Sequence, residues 1–80
     1  MAVDIIGRPI NVDDIVVFYN NVYKVIRVAE TNLNSKNALI RIILFSKSKT
    51  TTPQTKRSGD CCLINKEDAL IWMLTQHENN

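Results

Sequence analysis

The fold is decided between residues 15 and 28, where the chain reads IVVFYNNVYKVIRV. β-Branched and aromatic residues fill both halves of this stretch, which favours two strands. Asn20 and Asn21 lie between the halves, and asparagine tolerates the positive φ that a two-residue hairpin turn requires. We therefore expect a hairpin in which Tyr19 faces Val22. One face then holds Val16, Phe18, Tyr23 and Val25, and the other holds Ile15, Val17, Tyr19, Val22, Ile26 and Val28.

Two further strands and a helix are predicted downstream of the hairpin. Residues 38–45 and the shorter run 61–64 are apolar and β-branched enough to form strands. Both faces of such a sheet are apolar, so a second layer must cover one of them. A helix over residues 66–76 supplies that layer, with Asn65 as its cap and a frayed tail at 77–80.

Two segments lack a strand or helix pattern. Residues 4–10 carry Gly7 and Pro9, which indicates a short extended piece bent at a turn and lying along a sheet edge. Residues 46–60 are rich in Ser, Thr and Lys and have no large apolar side chain. We expect a loop there, and loops of this length are usually functional or mobile.

Length and composition limit the class of protein. Eighty residues, 45% apolar and 22% charged, are typical of one small globular domain, expected over residues 1–76. No apolar run approaches the ~18 residues of a membrane span, and the first residues are too short for a signal peptide. The adjacent pair Cys61-Cys62 cannot staple distant segments. These features predict a cytoplasmic protein without disulfides, membrane contact or cofactor.

The stretches GRPINVDDIVV at 7–17 and YKVIRV at 23–28 resemble the opening hairpin of SH3-like small barrels, including KOW-type domains. Together with the strand and helix pattern, the resemblance predicts a mainly β (α+β) fold, either an SH3-like small barrel or a curled antiparallel sheet of four to five strands with one C-terminal helix. It also implies partners among RNA, DNA, ribosomal or transcription machinery and short peptides. The size and Asn-rich composition are similar to those of small accessory proteins of tailed bacteriophages.

Positive charge is concentrated although the net charge is only +2. The segment 46–57 carries four cations and no acid, so it could release counterions and bind a polyanion. The alternative is a solvated loop that only keeps the protein soluble. Two strand arginines could lie side by side and extend the patch. The candidate cations are Lys47, Lys49, Lys56, Arg57, Arg27 and Arg41.

The aromatic residues allow two interpretations. Tyr19, Tyr23 and Phe45 could stack on unpaired bases, or they could be core residues, which we expect for most aromatics inside β runs of so small a protein. Tyr19 is retained as a candidate contact to nucleic acid. Trp72, a residue of the predicted helix, is expected to point into the core.

Chemistry at a catalytic or metal site is not expected. Cys61 and Cys62 have only His77 as a further soft ligand, whereas a zinc site needs about four. Because neighbouring side chains of a strand point to opposite faces, at most one of the cysteines should be in the core. The chain has no glycine-rich phosphate loop and no grouped acid and base, so we expect no enzyme activity.

Two functions remain. The first is a non-catalytic module that presents the basic loop and its neighbouring cations to RNA or DNA. The second is a protein-interaction or inhibitor protein, such as a phage accessory factor, that acts on a host or phage protein through its apolar sheet and helix surface. In either case we expect a monomer or a small homo-oligomer.

Overall fold

The computed structural model describes residues 1–31, 33–45 and 52–78. Its strands pair antiparallel in a single five-stranded sheet. This arrangement confirms the predicted mainly β fold with one C-terminal helix, in the form of an open, curled sheet. The elements in chain order are β1 (Ile15–Phe18), β2 (Asn21–Val28), β3 (Leu39–Leu44), β4 (Gln54–Arg57), β5 (Cys62–Ile64) and helix α1 (Lys66–Glu78), and the order across the sheet is β4-β3-β2-β1-β5.

The connection between the two edge strands requires the sheet to curl. β4 and β5 lie at opposite edges, yet only residues 58–61 join them. Five flat strands would place those edges roughly 19 Å apart, whereas the chain from Arg57 to Cys62 would reach at most about 18 Å even if it were fully extended. Residues 58–60 instead form a 3₁₀ turn, and the Gly59 N–H donates to the Lys36 carbonyl at 2.8 Å. The edges are therefore drawn toward each other around a concave core.

The hairpin turn lies one residue earlier than predicted. Tyr19 and Asn20 form the turn with φ values of 47° and 64°, and Phe18 pairs with Asn21. The expected facing of Tyr19 and Val22 is therefore wrong, because Val22 pairs with Val17. The register differs by an even number of residues, so the residues of β1, and those of β2 as far as Val25, keep their predicted faces. Tyr19 leaves the sheet.

A β-bulge reverses the predicted faces in the second half of β2. Val25 pairs with Ile42 and Arg27 with Arg41, so the register shifts at Ile26. One extra residue reverses the alternation of faces beyond it. Val28 consequently packs against the concave core, contrary to the prediction, while Ile26 is exposed.

Two apolar clusters lie on the two faces of the sheet. The main core fills the concave face, and its buried members are Ala2, Ile10, Val16, Tyr23, Val25, Ala38, Ile40, Ile42 and Cys61. On the convex face Ile15, Val22 and Ala69 form a smaller cluster, against which Phe45 packs. Ala69 belongs to α1, so the helix covers part of the second face as expected.

The helix begins where the sequence predicts. The Asp68 N–H donates to the Asn65 Oδ1 at 2.8 Å, which confirms Asn65 as the cap. The helix continues to Glu78, two residues beyond the expected end. The side chain of Trp72 lies outside the described set, so its place in the core stays a prediction.

The predicted loop over residues 46–60 is wrong in its second half. Gln54–Arg57 forms β4, whose register pairs Thr55 with Arg41. The backbone pairing to β3 overrides the weak strand propensity of this polar stretch. Lysine and arginine are also common on edge strands, where charge opposes pairing with another chain. Residues 46–51 lie outside the described residues.

The N-terminal segment closes the β5 edge instead of forming a strand. Its pairing is limited to isolated bridges, of Ala2 with Ser35 and of Val3 with Pro9. The Ile5 N–H donates to the Cys61 carbonyl at 2.9 Å, so the segment lies along the edge as predicted. It also contributes Ala2 and the fully buried Asp4 to the interior.

Candidate nucleic-acid interface

Two arginines lie directly opposite each other on the convex face of the sheet. Arg27 of β2 pairs with Arg41 of β3, and Arg41 pairs in turn with Thr55 of β4. Ile40 and Ile42 on either side of Arg41 belong to the concave core, so alternation along β3 places Arg41 on the opposite face. The side-by-side placement of Arg27 and Arg41 is confirmed. We call Arg27, Arg41 and Thr55 the arginine row.

Among the described residues, neither arginine of the row forms an ion pair with an acid. The described ion pairs join Arg8 to Asp4, Lys24 to Asp13 and Arg57 to Asp60, and none includes Arg27 or Arg41. Both guanidinium groups are on exposed residues. Directly opposite side chains have Cβ atoms about 4.5 to 5.5 Å apart, and like charges at this spacing repel. The row therefore concentrates positive charge at some cost to the fold.

An open groove runs along the arginine row. It encloses about 510 Å³, and Arg27, Arg41 and Thr55 line it together with Leu39 and Glu30. Glu30 is the acid of the lining, so two cations against one anion leave the groove with a net charge of +1. Helix α1 packs through Ala69 on Ile15 and Val22, and none of the described groove-lining residues belongs to the helix.

A second row of residues extends the cationic surface. Leu39 pairs with Arg57 across β3 and β4, next to the arginine row on the same face. The Leu39 side chain is 52% exposed, which gives the charged surface a small apolar centre. Arg57 is partly committed, because its Nε donates to the Asp60 Oδ2 at 3.2 Å. The predicted cation Arg57 thus joins the surface with weaker effective charge.

Lys56 and Tyr19 form a separate group with Phe18. Lys56 pairs with Ile40, so it lies on the concave side of β4, and its ammonium is 5.0 Å from the Phe18 ring centroid. The Tyr19 ring meets Phe18 edge to face at 4.5 Å between centroids. We call Phe18, Tyr19 and Lys56 the tip cluster. Lys47 and Lys49, the other two predicted cations, lie outside the described residues.

The aromatic residues divide between core and surface. Tyr23 is buried in the main core, and Phe45 is half-buried against the smaller cluster, as core residues would be. Tyr19 is 83% exposed, so the core interpretation is wrong for this residue. Its position in the turn removes it from both apolar faces.

Leu39, Thr55 and Glu30 were not predicted as part of the surface. The alternation in β3 held the signal for Leu39, because Leu39 and Arg41 fall on the same face of the strand. No comparable signal identified Thr55, since its place depends on the pairing of β4 with β3.

The two neighbouring cysteines differ in burial. Cys61 is fully buried and Cys62 is half-buried, as expected for neighbours in an extended segment. Burial, with a smaller contribution from Asp60, raises the pKa of the Cys61 thiol to about 11. Within residues 1–31, 33–45 and 52–78, no group of three His, Cys, Asp or Glu side chains could hold a metal ion.

Comparisons with known proteins return no relative. No protein family, curated protein or solved structure matches this chain. In the part of the chain that the structure describes, no helix is long and apolar enough to cross a membrane.

Proposed function

We propose that this chain is a non-catalytic module that binds RNA or DNA through the arginine row. The observation that carries the proposal is the direct pairing of Arg27 with Arg41 on an exposed face, where no ion pair among the described residues includes either arginine. Two guanidinium groups at this spacing suit phosphate oxygens, because each guanidinium group can bind a phosphate in a bidentate manner. A bound phosphate would also remove the repulsion between the two arginines.

The surroundings of the row support a polyanion as the ligand. Arg57 continues the charge toward the edge of the sheet, and Lys56 continues it on the other side of β4. The sequence between β3 and β4 also carries Lys47 and Lys49. The resemblance to SH3-like and KOW-type barrels, many of which bind nucleic acid, is consistent with this assignment.

The test is fluorescence anisotropy with labelled single- and double-stranded RNA and DNA over a series of salt concentrations. We expect the double variant Arg27→Ala/Arg41→Ala to bind at least tenfold more weakly. Its plot of log affinity against log salt should be shallower by roughly 1.5 to 2, because two phosphate contacts are lost.

A charge-matched control separates a site from general attraction. Lys36→Ala/Lys66→Ala removes the same two charges from exposed positions outside the groove lining. This control should change the affinity less than threefold. Equal losses in the two double variants, or no binding by the wild type at low salt, would contradict the proposal.

A second candidate function is a protein-interaction factor that docks through helix α1. Leu70, Ile71 and Leu74 are 37%, 61% and 64% exposed. Their spacing puts them on one stripe of the helix, away from the buried Ala69. The resemblance to phage accessory proteins is consistent with such a role, and a second copy of the chain is the simplest partner.

Light scattering tests the second candidate. If copies dock through α1, the mass should rise above the 9.1 kDa monomer with concentration, and Ile71→Asp/Leu74→Asp should restore the monomer. A strict monomer at all concentrations would contradict self-association through this stripe.

A further inference from the structure

Tyr19 occupies a backbone conformation that its side chain does not favour. Its φ of 47° is the left-handed region, which glycine and asparagine adopt readily and bulky residues rarely do. Two-residue turns in which both residues have positive φ are dominated by Asn, Asp and Gly. A tyrosine at the first of these positions therefore opposes the local turn preference.

Packing does not explain the tyrosine, because its side chain is 83% exposed. Its described ring contact is with Phe18, edge to face. Phe18 is itself held by Tyr23, at 6.3 Å between ring centroids, and by the Lys56 ammonium. The tyrosine ring thus projects to solvent, is supported by the packed Phe18 ring and contributes little buried area.

The tip cluster and the arginine row meet at strand β4. Thr55 belongs to the row and Lys56 to the tip cluster, and these residues are neighbours on opposite faces of the edge strand. A chain that crosses this edge would pass from Arg27 and Arg41, over Thr55 and Lys56, to the ring of Tyr19. The cations along this path would contact phosphates, and the tyrosine is the exposed π-surface at its end.

We infer that Tyr19 stacks on an unpaired base and that the module selects single-stranded nucleic acid, which crosses the β4 edge between the arginine row and the hairpin turn. The inference rests on the proposed function. A base within a duplex cannot present its face to a side chain, whereas an unpaired base stacks on an aromatic ring with little sequence preference.

The test compares Tyr19→Asn with Tyr19→Phe. Asparagine suits the turn better, so Tyr19→Asn should raise the urea midpoint of unfolding while it weakens single-strand binding about tenfold. Tyr19→Phe keeps the ring and should bind within twofold of the wild type. Duplex binding should be the same in all three proteins, and RNA and DNA oligonucleotides of equal length are measured in parallel.

A second readout reports stacking directly. The fluorescence of 2-aminopurine in a single strand should fall when the wild type or Tyr19→Phe binds, and should stay high with Tyr19→Asn. If Tyr19→Asn binds single strands as the wild type does while Arg27→Ala/Arg41→Ala does not, the inference is wrong and the proposed function stands. Preference of the wild type for duplexes also overturns the inference, and absence of any binding overturns both.

Discussion

Arginine is used in opposite ways at two places in this molecule. Arg8 donates from Nε to the Asp4 Oδ2 at 2.9 Å and from Nη2 to the Leu63 carbonyl at 2.6 Å. Arg27 and Arg41 face each other on the convex side of the sheet, and neither takes part in a described ion pair. The first arginine satisfies an internal acceptor, whereas the other two present their donors to solvent. Charge that is already paired stabilises the fold, and charge that is left unpaired is free to bind a ligand.

The paired region is built around a buried carboxylate. Asp4 is fully buried, and it accepts the backbone N–H groups of Ile6, Arg8 and Leu63 besides the Arg8 guanidinium. Burial alone raises the pKa of Asp4, but the hydrogen bonds from Leu63 and Arg8, together with the Arg8 charge, hold it below its ordinary value of 3.8. We call Asp4, Arg8 and Leu63 the Asp4 corner. It joins the N-terminal segment to the β5 edge.

The largest expected effect is the loss of the Asp4 corner. Asp4→Asn removes the charge and places an amide NH₂ against one of the donors, so the free energy of unfolding should fall by about 2 to 3 kcal/mol. Urea unfolding at neutral pH measures this loss. Asp60→Asn is the control, because its partner Arg57 is an exposed surface cation and such pairs contribute at most about 1 kcal/mol. Nucleic-acid binding should be unchanged in Asp4→Asn at temperatures where it is folded.

The Asp4 corner also predicts how the free energy of unfolding changes at acid pH. The pKa of Asp4 is lower in the folded state than its ordinary value of 3.8, so the folded protein releases this proton more readily than the unfolded chain. The resulting stabilisation is fully present above pH about 4 and is lost as the pH falls through the folded pKa. Asp4→Asn should therefore lose less stability than the wild type as the pH falls below about 4. Parallel acid limbs in the two proteins would contradict the role of this carboxylate.

The next largest effect concerns Gly59, which lies in the connection between the arginine row and the Asp4 corner. This connection joins β4, which carries Thr55 of the row, to β5, which carries Leu63 of the corner. A Cβ at this position would lie 2.5 Å from the Lys36 Cβ and 2.7 Å from the Lys36 carbonyl oxygen. Because part of the clash is with backbone, Gly59→Ala should destabilise the fold by about 2 kcal/mol.

Gly7→Ala is the matched control for this clash. Gly7 has a φ of 91°, but a Cβ added there would have no neighbouring atom within 4 Å, so alanine meets backbone strain without crowding. We expect a loss of about 1 kcal/mol, which thermal or urea unfolding can compare with Gly59→Ala. If Gly7→Ala lost more stability than Gly59→Ala, Lys36 would have to move away and make room for the added Cβ at position 59.

Much of the sheet could be predicted because its signals are local. The β-branched runs around Val16 and Val25 defined the central hairpin, and Asn65 marked the start of the helix. Two adjacent strands that each carry one arginine suggested that Arg27 and Arg41 could lie side by side, although their shared convex face depends on the bulge at Ile26, which the sequence does not predict. These features depend on residues close in sequence or on the simple alternation of a strand.

The features that were missed depend on contacts between distant parts of the chain. β4 forms because the edge of β3 offers hydrogen bonds, although its own sequence of Gln, Thr, Lys and Arg reads as a loop. The Tyr19–Asn20 turn prevails over Asn20–Asn21, so that Val22 pairs with Val17 under the helix. The partners of Asp4 lie at Arg8 and at Leu63, and no pattern in the sequence links residue 4 to residue 63.

The smallest expected effect tests the unpaired region itself. Arg41→Glu replaces repulsion opposite Arg27 with attraction, so the free energy of unfolding should rise by about 0.5 to 1 kcal/mol, while binding to nucleic acid should fall. Lys36→Glu makes the same change of charge at an exposed position of the β2–β3 connection and corrects for the lower net charge. Urea unfolding at low salt compares the two variants with the wild type. If Arg41→Glu, but not Lys36→Glu, is more stable than the wild type and binds nucleic acid more weakly, the repulsion between the arginines is retained for a ligand. If Arg41→Glu is less stable than the wild type, the two arginine side chains already avoid each other.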